Sequence, residues 1–257
     1  MRSVLLVFAT GLLVLISTAA YAQGNAGVPV VIELFTAEGC SSCPPSDKLL
    51  AYLEQQHTVD GAEIIALGEH VDYWNGKGWD DRFAQKSLTE RQNQYDHGGD
   101  VFTPQMIVDG HADQTPTDNA ALHKQIAEGA KQPNPATVAL SWSSPDHLNV
   151  AVDHGSGADV FLFVTEDGLS TDVKGGENNG VTLHHTAVVR EYRKLGKTAK
   201  DGSYHETVEV KPNPDWQTKA LKYVVVVQQK HGAGPIVGAA ELPAVASGSS
   251  GATQPGR

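Results

Sequence analysis

Cys40 and Cys43 are the only cysteines in the 257-residue chain, set three apart in Gly39-Cys40-Ser41-Ser42-Cys43-Pro44-Pro45. Paired thiols at this spacing support three chemistries: reversible disulfide exchange, a structural staple, or a soft-metal site such as one for Cu(I). As a staple the pair restrains little, because a loop of about four residues contributes only ~2 kcal/mol, against ~4.7 for about one hundred. Zinc needs two further ligands, and no second Cys pair or suitably spaced His pair accompanies the motif. The spacing favours exchange, with Cys40 as the exposed attacking thiol and Cys43 as the inner, resolving one. The staple and the Cu(I) site stay open as alternatives.

The elements around the pair fit that reading. The β-branched run Val30-Val31-Ile32-Glu33-Leu34-Phe35 reads as a strand, and Ser46 to Gln56 reads as a helix carrying Leu49, Leu50 and Leu53. Orphan N–H groups and the macrodipole at that helix start favour a thiolate by about 0.3–1 kcal/mol, or less than one pKa unit. Glu38, two residues before Cys40, works against it. Pro44 and Pro45 fit only in the first turn.

Composition bounds the partners. Arg2, an apolar stretch from Val4 to Ile16 and Ala20-Tyr21-Ala22 together read as a secretory signal peptide over residues 1–22. Its removal leaves 257 − 22 = 235 residues and shifts the net charge from −11 to −12 with the loss of Arg2. Such a charge disfavours nucleic acid and anionic lipid. The expected setting is secreted, or periplasmic in a Gram-negative cell, where disulfides persist. No membrane association is expected after cleavage.

Two halves differ in pattern, with Gln132-Pro133-Asn134-Pro135 between them. Residues 28–132 alternate strands and helices. A second strand covers Glu63–Gly68 and runs on into His70-Val71-Asp72-Tyr73-Trp74, and a helix is predicted over Phe83–Tyr95 with Gly98-Gly99 as its stop. A third strand spans Pro104–Val108 with Asp109-Gly110 as a hairpin signal, and a helix capped by Asp118 runs to Ala130. Residues 135–245 carry about seven strand candidates, among them Thr137–Trp142, Asp159–Val164, His185–Tyr192 and Tyr223–Val227. That pattern predicts an antiparallel β-sandwich-like domain. Residues 246–257 are Gly/Ser-rich and read as a disordered tail.

Strand, Cys-x-x-Cys and helix, followed by Thr103-Pro104 opening a strand, resemble the thioredoxin fold. A longer set of motifs resembles a bacterial family of secreted thioredoxin-like proteins of unassigned function. It comprises Glu33-Leu34-Phe35-Thr36, the Cys40–Cys43 loop, His70-Val71-Asp72-Tyr73-Trp74, Gly78-Trp79-x-Asp81-x-Phe83, Arg91-Gln92, Phe102-Thr103-Pro104-Gln105, Gly176-Glu177-Asn178 and His184-His185. The resemblance implies an α/β thioredoxin-like N-terminal domain with an inserted helical segment, roughly Tyr73 to Asp100, acting as a lid or added helix. It also implies a cis Pro104 beside Cys40, with Thr103 and Pro104 shaping a docking surface for an extended substrate. Ordinary thioredoxins bury an acid beneath the dithiol; here the aligned residue is Leu34, and Glu33 faces the other side of its strand.

The function expected is thiol–disulfide oxidoreduction on an exported protein or peptide, with an unknown redox partner and no cofactor or metal. The alternative is a non-catalytic thioredoxin-like binding module. His70 and Asp72 lie two apart on an extended segment and so are expected to share one face, where they either satisfy hydrogen bonds beneath the insertion or tune Cys40 or contact substrate. Trp74 and Trp79 either pack the insertion or line a peptide groove. Arg91 is expected to pair with a nearby acid. His184 and His185 point to opposite faces of a strand and so do not share one ion.

Overall fold

The structure is a computed structural model and describes residues 27–95, 101–112, 119–132 and 134–245. The predicted leader, the helix stop at Gly98-Gly99, the cap at Asp118 and the tail 246–257 lie outside the described residues. No helix among the described residues is long and apolar enough to cross a membrane.

The opening β-branched run forms β1 (Val28–Thr36). It is followed by α1 (Pro44–Gln56), β2 (Thr58–Val59), β3 (Ala62–His70), α2 (Lys86–Tyr95), β4 (Gln105–Val108), β5 (His111–Ala112) and α3 (Asn119–Gly129). The second half supplies β6 (Thr137–Ser144), β7 (His147–Asp153), β8 (Asp159–Glu166), β9 (Leu169–Asp172) and β10 (Thr182–His185). It continues through β11 (Val188–Lys197), β12 (Tyr204–Glu209), β13 (Leu221–Gln228) and β14 (Ile236–Pro243).

One nine-stranded sheet runs β14-β13-β8-β11-β3-β1-β4-β5, with β2 paired to β3. β1 and β3 are parallel, and β4 is antiparallel to β1. The two halves expected on either side of Gln132–Pro135 share this sheet, because β11 meets β3 in parallel at Val188 and Gly68. Glycine is needed at 68, where a Cβ would lie 2.8 Å from the Thr186 carbonyl oxygen. A separate antiparallel sheet of β12, β7 and β6 lays Leu148, Val150 and Val152 on Val160, Leu162, Val225 and Val227 of the main sheet.

Strand alternation sorts β1 onto two faces. Val30, Ile32 and Leu34 meet Leu50 and Leu53 of α1 and Leu122 and Ile126 of α3. Val31 faces the other way, where Leu88 of α2 packs with Ile65, Leu67, Phe161 and Phe163. Helix α2 therefore lies across the junction of the halves.

Several boundaries differ from the sequence expectation. Helix α2 begins at Lys86 rather than Phe83, because the Phe83 N–H is drawn into a turn by Asp81 Oδ1 at 2.8 Å. The single strand expected over His185–Tyr192 breaks into β10 and β11 at Ala187, whose φ is 47° and whose N–H donates to Asp167 Oδ1 at 2.7 Å. β9 was not foreseen; it pairs with β10 in a separate hairpin. Asp109 and Gly110 join β4 to β5 with φ of 50° and 72°, the signs a type I′ turn requires.

Candidate functional site

Cys40 and Cys43 are disulfide-bonded, with their Cα atoms 5.4 Å apart, at the point where β1 hands over to α1. The loop is tight: Cys40 N–H donates to Ala37 O and Cys43 N–H to Cys40 O. Cys43 is the N-cap residue of α1, and Pro44 and Pro45 occupy the first turn, where absent N–H groups cost least.

The expectation of an exposed Cys40 is corrected. Both cysteines are 0 % exposed, packed with Phe35, Ala37, Val71, Tyr95 and Ile107 and flanked by Tyr73 and Trp74. Apolar side chains of β1, β4 and α2 back the disulfide. Only Ser41 and Ser42 of the loop face solvent, and the Ser42 hydroxyl donates to Cys40 Sγ at 3.3 Å.

The Thr103–Pro104 bond is cis. Trp74 ties that segment to the cysteine loop: its Nε1–H donates to Thr103 Oγ1 at 2.7 Å, and its ring lies 3.6 Å from where a Cβ on Gly39 would stand. Trp79 serves a different partner, donating to Glu38 Oε2 at 2.7 Å.

Glu38 belongs to a buried polar cluster under the loop. His185 Nε2 lies 3.2 Å from Glu38 Oε1 without hydrogen-bond alignment, and the His185 ring stands edge-on to that of His70 at 4.9 Å. His70 Nδ1 meets Asp81 Oδ2 at 2.6 Å, and Asp81 also accepts the Glu38 N–H at 2.9 Å. Burial alone would lower the His70 pKa, but the charge and hydrogen bond of Asp81 outweigh it and the net shift is upward. Burial pushes Asp81 up, yet His70 and two backbone N–H groups bring it down to about 2. Asp47, bonded to the Thr36 hydroxyl at 2.8 Å, is raised by burial. Thr36, Asp47, His70 and His185 line a cavity of about 10 Å³, close to the space one water needs.

Asp72 does not join this cluster. β3 ends at His70, so the two residues do not share a strand face as expected, and Asp72 Oδ1 accepts from Thr89 Oγ1 of α2 at 2.6 Å. Arg91 pairs with an acid as expected: its Nε donates to Glu33 Oε1 at 2.6 Å, and Tyr95 OH donates to Glu33 Oε2 at 2.6 Å. Glu33 thus faces α2 while Leu34 faces α1. His184 is exposed and His185 buried, on opposite faces of β10.

Two residues that sequence reasoning left without a role hold the loop from the second half. Asn178 Nδ2 donates to Glu38 O at 2.8 Å and to Cys40 O at 3.0 Å. Glu177 Oε2 accepts from Ser41 N at 3.2 Å and from Ser41 Oγ at 2.6 Å. Their signal in the sequence is the polar pair set among Gly175, Gly176 and Gly180, a turn rather than a core pattern. At the opposite end of β1, a cleft of about 620 Å³ is lined by residues that include Asp109, His111, Glu128 and Asn134. Asp109 accepts the Val31 N–H at 2.8 Å, and burial raises its pKa to about 7.

A family model described as "Protein of unknown function (DUF1223)" matches residues 31–228, and the chain belongs to that family. The crystal structure of protein AGR_C_4864 from Agrobacterium tumefaciens is similar, with 26% identity and a TM-score of 0.69 over 84% of this chain and 94% of that one. HBP35 of Porphyromonas gingivalis shares the fold at 18% identity and a TM-score of 0.61, over 91% of this chain and 81% of its own. No curated protein matches the chain.

Proposed function

We propose that this member of the DUF1223 family is an exported thiol–disulfide oxidoreductase acting through Cys40 and Cys43. The observation that carries the reading is the disulfide at the N-terminus of α1, where the helix dipole favours a sulfur anion although Pro44 and Pro45 supply no N–H. A thioredoxin-like core over residues 28–132 is supported by parallel β1 and β3, antiparallel β4, and α1 and α3 on one sheet face. Export is supported by the leader-like pattern of residues 1–22.

The chemistry balances as exchange. A client thiolate attacks Cys40 Sγ, the Cys40–Cys43 bond breaks, and Cys43 leaves as a thiolate carrying the electron pair. A second client thiolate then attacks the mixed disulfide and releases Cys40. The client becomes a disulfide and the protein a dithiol, with two electrons and two protons transferred, and the reverse sequence reduces a client disulfide. Thr103 and Pro104, held beside the loop by Trp74, form the docking wall.

Capture of mixed disulfides in intact cells by Cys43→Ala tests this reading. Exported proteins bound through Cys40, and absent with Cys40→Ser, are expected; an empty trap removes the proposal. The complete burial of both cysteines favours a second reading, a structural staple. A reduction potential below about −300 mV together with no exchange activity selects the staple.

A further inference from the structure

The sulfur atoms are out of solvent's reach, so any thiol that attacks them needs part of the cover to move. The cover has two components. One is Tyr73 and Trp74, rooted between β3 and α2 and tied to Thr103. The other is the grip on the cysteine loop by the turn 173–181 that joins β9 to β10, which holds the loop's main chain and Ser41 rather than packing on the sulfurs. Among the described residues β9 and β10 pair only with each other, and their turn carries Gly176 and Gly180 at φ of 64° and 84°. It is the tip of a hairpin outside the main sheet, whose base is buried through Leu169, Val173, Leu183 and His185.

That turn holds the cysteine loop by its main chain. The Asn178 carboxamide fills the carbonyls of Glu38 and Cys40, and the Glu177 carboxylate fills the N–H of Ser41. These two acceptors and one donor are the backbone groups that flank the disulfide, the same groups a polypeptide laid across Cys40 would bond. Side-chain amide and carboxylate here stand in for a main-chain N–H and C=O. The contact is also close-fitting: a Cβ at Gly175 would lie 2.1 Å from the Gly78 carbonyl oxygen, so the hairpin seats against the 72–80 segment only with glycine there.

We infer that the β9–β10 hairpin is an autoinhibitory strap, occupying the main-chain groups beside Cys40 and Cys43 until an extended client polypeptide displaces it. Its role as an inhibitor rests on the exchange reading, but its action as a cover does not. A folded client cannot insert a strand under the strap, whereas an unfolded or loop segment with free N–H and C=O groups replaces the lost bonds one for one. Opening is confined to the tip: residues 175–180 lift while Leu169, Val173, Leu183 and His185 at the base of the hairpin stay buried and the nine-stranded sheet stays intact.

The test follows reduction of the oxidised chain by dithiothreitol, quenched by alkylation and read as a mass shift. Each reduction consumes one dithiothreitol: its first thiolate breaks the Cys40–Cys43 bond and its second closes the cyclic disulfide, leaving a protein dithiol. Loss of one or two strap hydrogen bonds raises the open fraction about five- to tenfold, so Asn178→Ala and Glu177→Met are expected to be reduced that much faster. Gly175→Ala, which wedges the hairpin off Gly78, is expected to gain at least about tenfold. Glu177→Met keeps the side chain's length, removes its acceptor and guards against a folding failure in the glycine variant. Rates within twofold of the wild type in all three variants overturn the strap.

A short cysteine peptide tests the client class. Methylating its backbone nitrogens on both sides of the cysteine is expected to slow its attack on the wild type; equal rates overturn the main-chain part of the inference. The two proposals fail separately. Faster reduction of the variants with an empty Cys43→Ala trap keeps the cover and removes the enzyme. A filled trap with unchanged variant rates keeps the enzyme and removes the strap.

Discussion

Two of the places where the second half of the chain grips the first are built from opposite materials. In the core, Gln228 of β13 donates to Tyr95 OH at 2.7 Å and accepts from Arg91 Nη2 at 3.2 Å, joining a cluster in which Glu33, Glu69 and Arg91 are all fully buried. The Arg91 guanidinium lies within 6 Å of the ring centroids of Tyr95, Phe161, Phe163 and Tyr192. At the rim, Glu177 and Asn178 hold the cysteine loop through a glycine-rich turn, and Glu177 itself is exposed.

Solvent decides the difference. A charge in the core has no water to fall back on, so removing one partner strands the other. At the rim the bonds of the exposed Glu177 exchange with water at small net cost, while the two bonds of Asn178 are buried. The core grip therefore fixes how the halves sit, and the rim grip is free to release. Burial raises Glu69 well above the usual carboxylate range, reinforced by the neighbouring Glu33 charge and opposed by Arg91. Arg91 stands closer to Glu33, whose Oε1 accepts its Nε–H at 2.6 Å, than to Glu69 at 3.5 Å.

Breaking the core grip is expected to have the largest effect. Arg91→Leu leaves the Glu33 carboxylate buried without its counter-charge and should cost about 3–5 kcal/mol in urea unfolding. Adding Glu33→Gln should recover part of that loss, and strict additivity of the two variants in a double-mutant cycle would contradict the pairing. Asp81→Asn comes next, at about 2–4 kcal/mol near pH 6, because it removes the His70 counter-charge and weakens the hold on two backbone N–H groups.

Asp81 and His70 also set a pH window. The raised His70 pKa contributes stability that is complete below its unfolded value, about 6.5, and is lost as pH rises through the folded value. The lowered Asp81 pKa contributes stability that is present above about 3.8 and is lost as pH falls towards about 2. Asp81→Asn should flatten both slopes in a series of urea titrations across pH; unchanged slopes would place the titrating groups elsewhere.

Asp109 has the opposite sign. With its folded pKa raised to about 7, the folded state binds the extra proton, so stability falls as pH rises from about 4 to 7. Asp109→Asn keeps an oxygen for the Val31 N–H and should raise the unfolding free energy from urea titration at pH 8 by about 1–2 kcal/mol, with little change at pH 4. The smallest effect belongs to the rim. Glu177→Ala should shift global stability by less than about 1 kcal/mol while hydrogen exchange around Glu38–Ser41 rises. A global loss as large as that of Arg91→Leu would erase the distinction between the two grips.

Much of this was legible in the residues. The run from Val30 to Phe35, the leucines of α1, the Asp109-Gly110 turn and the opposite facing of Glu33 and Leu34 follow from side-chain period and turn stereochemistry, which act over a few residues. The pairing of Arg91 with an acid was legible too, although the partner is Glu33, 58 positions away, rather than an acid close by in the chain. The exposure assigned to Cys40 failed because it was judged from the loop alone, and the atoms that bury Cys40 come from Trp74, Tyr95 and Ile107. His70 and Asp72 parted company for a similar reason: Asp81 and Thr89, each more than ten residues downstream, claimed them separately.

The sequence by itself determined the dithiol, the strand and helix that present it, and the change from mixed to all-strand pattern near Pro135. Tertiary structure alone decided that β11 docks on β3, that His185 and Asp81 gather under Glu38, and that Asn178 reaches Cys40 across 138 positions. Local pattern reports the preferences of neighbouring residues. Which distant backbone groups must share hydrogen bonds is set only when the whole core excludes water, and no short stretch of sequence contains that information.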